Sequence, residues 1–353
     1  MDFDLSDDQL ALRDGARELL DDLAGPGEIR AFSEQGAPFD PRLWAAMIEQ
    51  GWLGIDTPES GGGLGLGTVE VAVLLEEVGR HAAPAPFLPT VLALAALRRA
   101  GRAGEVERVL AGELLACVAA GTTPGALSAQ AEGDGWTVSG RSDPTPYAPV
   151  ADLAIVVADD GEGPAVFAVS LSQAGRPPRE PAMDLTRPFG WLRFEREPAQ
   201  RLGGKDAADD LLDRGAASTA AEMLGAADHV LAMAVGYAKE RVQFGRPIGS
   251  FQAVKHRCAD MAVRAEVARS ATTYAAVSVR DAADDVDFQC AVAKVLCANA
   301  YLQNAADNVQ NHGGMGFTWE CDAHLFVKRA RAFDTTLGSR RAQLDSLVAG
   351  FRA

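Results

Sequence analysis

The sequence predicts an α+β chain that is mainly α: an N-terminal helical domain, a middle β domain and a C-terminal four-helix bundle. Three observations carry this. Apolar residues recur at helical spacing through the first third, short β-rich runs between turn residues fill the middle, and four long helical segments close the chain. The boundaries are placed at 1–112, 113–200 and 201–353. At 353 residues the chain is long for one core, so several packed units are expected.

Leu12, Ala16, Leu19, Leu20 and Leu23 share one helical face, and Ser6-Asp7-Asp8-Gln9 has the form of a capping box at its start. Leu43 to Gly51 reads as a short helix. Pro58-Glu59-Ser60-Gly61-Gly62-Gly63 reads as a turn, because it lacks the Lys-Ser/Thr ending of a phosphate loop. The apolar stretch from Val69 to Val78 forms the next helix, which Gly79 is expected to end, and the Glu76-Glu77 pair is assigned to its solvated face. Pro84, Pro86 and Pro89 set off another helix that runs to about Gly101.

After Gly112 come the β-rich runs Leu114–Ala119, Trp136–Ser139, Leu153–Val157, Val166–Val169 and Trp191–Phe194. Asp134-Gly135 and Gly161-Glu162-Gly163 are the reversals between them. Beyond Ala207 helical segments are expected near 207–241, 251–281, 284–311 and 322–351, punctuated by Pro247 and Gly313-Gly314. Paired alanines such as Ala216-Ala217 and Ala220-Ala221 permit close helix packing.

Lys plus Arg number 33 against 49 Asp plus Glu, a net charge of -16 that repels nucleic acid and anionic lipid. No run of about 18 apolar residues exists, so no membrane span is expected. Met1-Asp2-Phe3-Asp4 has neither the basic region nor the apolar core of a secretory signal, and a cytoplasmic location is expected. Cys117, Cys258, Cys290, Cys297 and Cys321 are too scattered for a zinc site and read as reduced core residues. His81, His229, His256, His312 and His324 form neither a metal set nor a triad; each reads as an ordinary helix or surface residue.

Three strings are more specific than the architecture. The first is Gly51-Trp52-Leu53-Gly54 with Pro58-Glu59-Ser60-Gly61-Gly62 and, downstream, Glu76-Glu77-Val78-Gly79-Arg80. The second runs from Arg241 through Val242-Gln243-Phe244-Gly245-Arg246-Pro247-Ile248-Gly249-Ser250-Phe251 to Gln252. The third is Gln310-Asn311-His312-Gly313-Gly314-Met315-Gly316-Phe317. In this order they resemble the acyl-CoA dehydrogenase family, over nearly the whole chain from Leu5 to Phe351, which implies the acyl-CoA dehydrogenase fold and FAD as cofactor.

The resemblance implies that Arg241, Phe244, Gln252, Gln310, Gly313 and Gly314 grip the ADP half of an FAD whose flavin ring lies mainly in a neighbouring subunit. An arginine fork suits pyrophosphate oxygens, a phenylalanine packs on adenine, amides reach the nucleotide, and glycines admit close backbone approach. Taken singly, Arg241 also suits a helix C-terminus and Gly313-Gly314 a helix-stopping turn.

The chain departs from the family where the chemistry is done. Family members remove an α-proton with a carboxylate while a hydride leaves the β-carbon for the flavin. The family's glutamate position corresponds to Leu337 in Phe333-Asp334-Thr335-Thr336-Leu337-Gly338-Ser339, and the alternative base position, counted back from Arg241, is Gly215. Glu222 and Asp334 are nearby carboxylates, with Asp334 expected to cap or pair on a surface. The family's acidic flavin-side loop reads Thr122-Thr123-Pro124-Gly125-Ala126-Leu127-Ser128-Ala129 here, and in Gly140-Arg141-Ser142-Asp143-Pro144-Thr145-Pro146-Tyr147 prolines stand at both flavin-facing positions. They cannot donate an N–H to the ring.

No catalytic residue is therefore assigned to this chain. It resembles the non-catalytic subunit of actinobacterial steroid side-chain acyl-CoA dehydrogenases, α2β2 tetramers of unlike subunits; Asp184-Leu185-Thr186-Arg187 agrees with that subgroup. The implied function is α,β-dehydrogenation of a bulky acyl-CoA, with a homologous partner subunit carrying the catalytic Glu and an electron-transfer flavoprotein accepting the electrons. The alternatives are a homomeric flavoprotein with different chemistry, monooxygenase-like, and a non-catalytic scaffold.

Overall fold

A computed structural model describes residues 4–121, 125–172 and 175–350. Six helices form the N-terminal part: α1 (Asp7–Leu23), α2 (Pro26–Gln35), α3 (Pro41–Glu49), α4 (Thr68–Arg80), α5 (Phe87–Arg99) and α6 (Ala103–Leu110). The capping box at α1 forms as expected, with Ser6 Oγ accepting from the Gln9 N–H at 3.2 Å and Gln9 Oε1 accepting from the Ser6 N–H at 3.0 Å. The sequence reading missed α2 and α6. Their buried apolar residues are only Ile29 and Phe32 in one and Val106 and Val109 in the other, too few to make a periodic signal.

Gly79 is the last residue but one of α4, so the helix ends about where expected, but the glycine serves packing: a Cβ would stand 1.8 Å from the Glu222 carbonyl oxygen, and Gly225 is its reciprocal, 1.7 Å from the Glu76 carbonyl oxygen. The two glycines bring α4 into backbone contact with α7 (Lys205–Glu240). That packing also corrects the assignment of Glu76-Glu77 to a solvated face. Glu77 is buried and held by Arg17 through two bonds of 2.6 and 3.1 Å, and the half-buried Glu76 pairs with Arg269 at 3.3 Å.

The middle of the chain supplies β1 (Ala116–Ala119), β2 (Leu127–Glu132), β3 (Gly135–Pro146), β4 (Leu153–Asp159), β5 (Pro164–Ser170) and β6 (Phe189–Gly203). Strands β4, β2, β3, β6 and β5 pair in turn, β5 pairs back to β4, and β1 adds in parallel beside β4. The pairs Glu132↔Gly135 and Asp159↔Pro164 close hairpins at the two expected reversals. The sequence reading missed β2, because its inward residues, Leu127 and Ala129, make a short and weak alternation. Val138, Val156, Phe167 and Leu192 are central to the core that these strands enclose.

Three long antiparallel-packed helices follow, α7, α8 (Gln252–Asp281) and α9 (Val286–His312), then α10 (Ala323–Phe333) and α11 (Arg340–Gly350). Buried alanines such as Ala220, Ala227, Ala293 and Ala300 line their contacts. The single helix expected over 322–351 is two helices. Leu337 (φ 52) and Gly338 (φ 96) break it, since neither angle is compatible with a right-handed helix. All five cysteines are free; Cys117, Cys290 and Cys297 are core residues as expected, whereas Cys258 and Cys321 are only half-buried. Among the described residues no helix is long and apolar enough to cross a membrane, and no cluster of side chains could hold a metal.

Candidate functional site

The second and third strings lie at one end of the bundle. Tyr237, one turn before the end of α7, stacks on His312 at the end of α9 with ring centroids 4.2 Å apart. In the second turn of α8, Arg257 donates to Asn311 Oδ1 at 2.8 Å, and Asn311 Nδ2 reaches Cys258 Sγ at 3.4 Å. Arg264, two turns further along α8, bonds Asp307 and Asn304, so the helices are cross-braced. Sequence reasoning missed this bracing layer. Its only signal is the recurrence of Asn304, Asn308 and Asn311 along one helix.

Between α7 and α8 the chain makes a two-strand hairpin, β7 (Val242–Gln243) and β8 (Arg246–Pro247). Its turn is Phe244-Gly245, both with positive φ (52° and 77°), as a two-residue hairpin of this hand requires. Phe244 pays for that conformation with little of its own burial, because its ring is 92% exposed. Val242, Met315, Phe317 and Trp319 are also exposed, so a group of large apolar side chains stands in solvent at this end of the bundle.

Arg241 is the C-cap of α7 and Gln252 the first residue of α8, while Gln310 and Gly313 end α9. All six predicted residues are exposed. Among the described residues the side chains of Arg241, Gln252 and Gln310 have no hydrogen-bond partner within the chain. Gly313 needs its glycine for φ 60, and a Cβ on Gly313 or Gly314 would meet nothing within 4 Å. The chain thus offers a guanidinium, two amides, a bare aromatic ring and unobstructed backbone to something outside itself. These groups fit the ADP half of FAD.

The opposite is found where the reactive end would be. The two positions that the resemblance assigns to the family's base face each other: a Cβ on Gly215 would stand 3.0 Å from Leu337 Cδ1, an alkyl group. Leu337, Gly338, Pro144 and Pro146 line one crevice with Val118 and Ala120, and its volume is about 20 Å³. That holds about one water molecule and no ring system. The prolines are fixed in β3 opposite Trp191 and Phe189 of β6. Thr122-Thr123-Pro124 lie outside the described residues.

Neither nearby carboxylate is placed as a base. Glu222 Oε1 accepts from Arg187 at 2.7 Å and from Arg329 at 2.6 Å, and all three side chains are at most 3% exposed. Arg329 also donates to Thr186 Oγ1 at 2.6 Å and to the Ala82 carbonyl at 3.0 Å. Asp184-Leu185-Thr186-Arg187 is thereby tied to α7, α10 and the α4–α5 connection. Asp334 caps α10 and pairs with Arg340 at 3.8 Å. Lys294, which sequence reasoning also missed, is fully buried and donates to the Thr336 carbonyl at 2.7 Å, fixing the loop that carries Leu337.

The comparisons show the family. Residues 6–114 match the N-terminal domain and residues 203–351 the C-terminal domain of acyl-CoA dehydrogenase. The acyl-CoA dehydrogenase IpdE2 of Mycolicibacterium smegmatis is 34% identical over 346 residues, 98% of this chain and 99% of its own length. The ChsE4-ChsE5 complex from Mycobacterium tuberculosis contains a chain that superposes with a TM-score of 0.93 at 31% identity, covering 100% of this chain and 99% of that one. For the Tcur3481-Tcur3483 steroid ACAD the values are 0.91 and 31%, with 98% and 99% covered. The chain belongs to the acyl-CoA dehydrogenase family, FAD-dependent oxidoreductases that act on acyl-CoA.

Proposed function

We propose that this chain is the supporting subunit of a heteromeric acyl-CoA dehydrogenase that introduces an α,β double bond into a bulky, steroid-derived acyl-CoA. One observation carries the reading: Leu337 packs on Gly215 and lines a crevice of only about 20 Å³, while the residues assigned to the nucleotide at the bundle end are exposed. The FAD, when bound, accepts the hydride from the β-carbon. This chain's part is to hold the cofactor's nucleotide tail: Arg241 meets the pyrophosphate charge, Phe244 covers the adenine, Gln252 and Gln310 supply amides, and Gly313-Gly314 leave room for the backbone to approach. The homologous partner subunit supplies the glutamate base and the flavin-ring contacts, and an electron-transfer flavoprotein takes the electrons.

Two solved relatives at 31% identity are named as pairs of unlike chains, and one is named as a steroid enzyme, which supports both the heteromer and the substrate class. The exposed apolar side chains around Phe244 and Phe317 suit a surface covered by a partner. The test is the visible spectrum of the chain expressed alone and with a neighbouring dehydrogenase gene. A colourless lone chain and a yellow complex are expected. Stoichiometric flavin in the lone chain would favour a homomeric flavoprotein instead.

A further inference from the structure

A cavity of about 340 Å³ lies between α1, α2, α4, α7 and α10, remote in its lining from every residue assigned to the cofactor. We infer that it is a second ligand site, one that takes a compact apolar molecule bearing a single carboxylate head. Its volume is in the range of small-molecule sites and far above the single-water crevice beside Leu337. Ile29, Met233, Leu325 and Phe326 form an apolar floor, which gives enclosed water few partners.

The wall carries the head-group chemistry. Arg80 ends α4 on this cavity, and among the described residues its guanidinium makes no hydrogen bond; its ion pairs, to Glu77 at 3.6 Å and Asp228 at 3.8 Å, are too long. Both carboxylates are already engaged, Glu77 by Arg17 and Asp228 by Arg269. Arg80 Nε is buried and unsatisfied. Beside it, Arg17 uses Nε and Nη2 on Glu77 and leaves Nη1 unbonded. A carboxylate in the cavity would accept from the terminal nitrogens of Arg80 and Arg17, which line it.

The other polar lining groups do not compete for that role. His81 is tied through Nε2 to Asp21 at 2.9 Å and through Nδ1 to the Glu77 carbonyl at 2.8 Å. Asp322 receives two bonds from Arg30, of 2.6 and 3.0 Å, and Asp21 is mostly exposed at the solvent edge. His229 stacks on Phe326 with centroids 4.8 Å apart, and burial pushes it down to about 4, so it is a neutral imidazole at neutral pH.

Octanoate is the probe and octan-1-ol its headless control, both read by ¹³C-methyl NMR of the methionines in the full-length chain, with Met233 identified through Met233→Leu. The site predicts a saturable shift of the Met233 methyl with octanoate, binding about tenfold or more tighter than octan-1-ol, as one charge-assisted contact implies. Arg80→Gln should bring octanoate down to the level of the alcohol, and Leu325→Trp should abolish both responses. An unmoved Met233 methyl, equal binding of acid and alcohol, or equal shifts at the exposed Met183 and Met315 would overturn the inference. The acid-against-alcohol comparison decides on the unaltered protein even where Arg80→Gln fails to fold.

Discussion

The proposed division of labour turns on Leu337, an alkyl side chain pressed on Gly215 that cannot accept a proton. Leu337→Glu is expected to produce no dehydrogenase turnover in the isolated chain, measured with acyl-CoA and an artificial electron acceptor; turnover would show that a flavin pocket exists there after all. Arg241→Ala should weaken flavin retention by the complex about 10- to 100-fold, the worth of a charged hydrogen bond, with the melting temperature unchanged. Glu222→Gln removes the charge that two buried arginines share, and should cost about 3–5 kcal/mol in chemical denaturation.

Lys294 makes a pH prediction. Burial pulls it down to about 7 from 10.5, against the opposing charges of Asp334, Cys297 and Glu222. Between those values the unfolded chain holds a proton that the folded chain lacks, so this residue's contribution to stability rises with pH across the window, and below it the full cost is present. Subtracting the stability of Lys294→Met from that of the wild type should leave a difference that rises from pH 7 to 10; a flat difference would contradict the buried, neutral lysine.

At the scale of elements, the crossing of α4 over α7 is set by two glycines that a one-residue pattern cannot reveal. Gly79 sits beside the apparent end of an apolar run and looks like a stop, yet it is a contact residue whose Cβ would overlap the Glu222 backbone. Gly79→Ala should therefore destabilise by about 1–3 kcal/mol or more, whereas Gly236→Ala, in the same bundle with open space above it, should stabilise by about 0.5–1 kcal/mol. Thermal melts of the pair check both signs. Glu76-Glu77 was misread for the same reason: charged residues look solvated in sequence, and only the arrival of Arg17 and Arg269 from distant helices buries them. Long helices and the two hairpin reversals were legible, because period and turn chemistry are local. The break at Leu337 was not, since a leucine with φ 52 carries no turn signal.

On the scale of the whole molecule, the fold was readable from the order of the motifs. The contacts between them were not. Sequence could say that Leu337 and Gly215 replace the two base positions, but not that they touch, nor that Pro144 and Pro146 close the same crevice. It also could not show that the helix ends carrying the six residues proposed for the nucleotide are braced through Tyr237, His312 and Arg257.

Counting flavin in the purified complex reaches this division most directly. If one subunit clasps the dinucleotide tail and the other seats the ring, absorbance and protein mass should give one FAD for each unlike pair of chains. A count of one FAD per polypeptide, with this chain's own crevice filled, would contradict it.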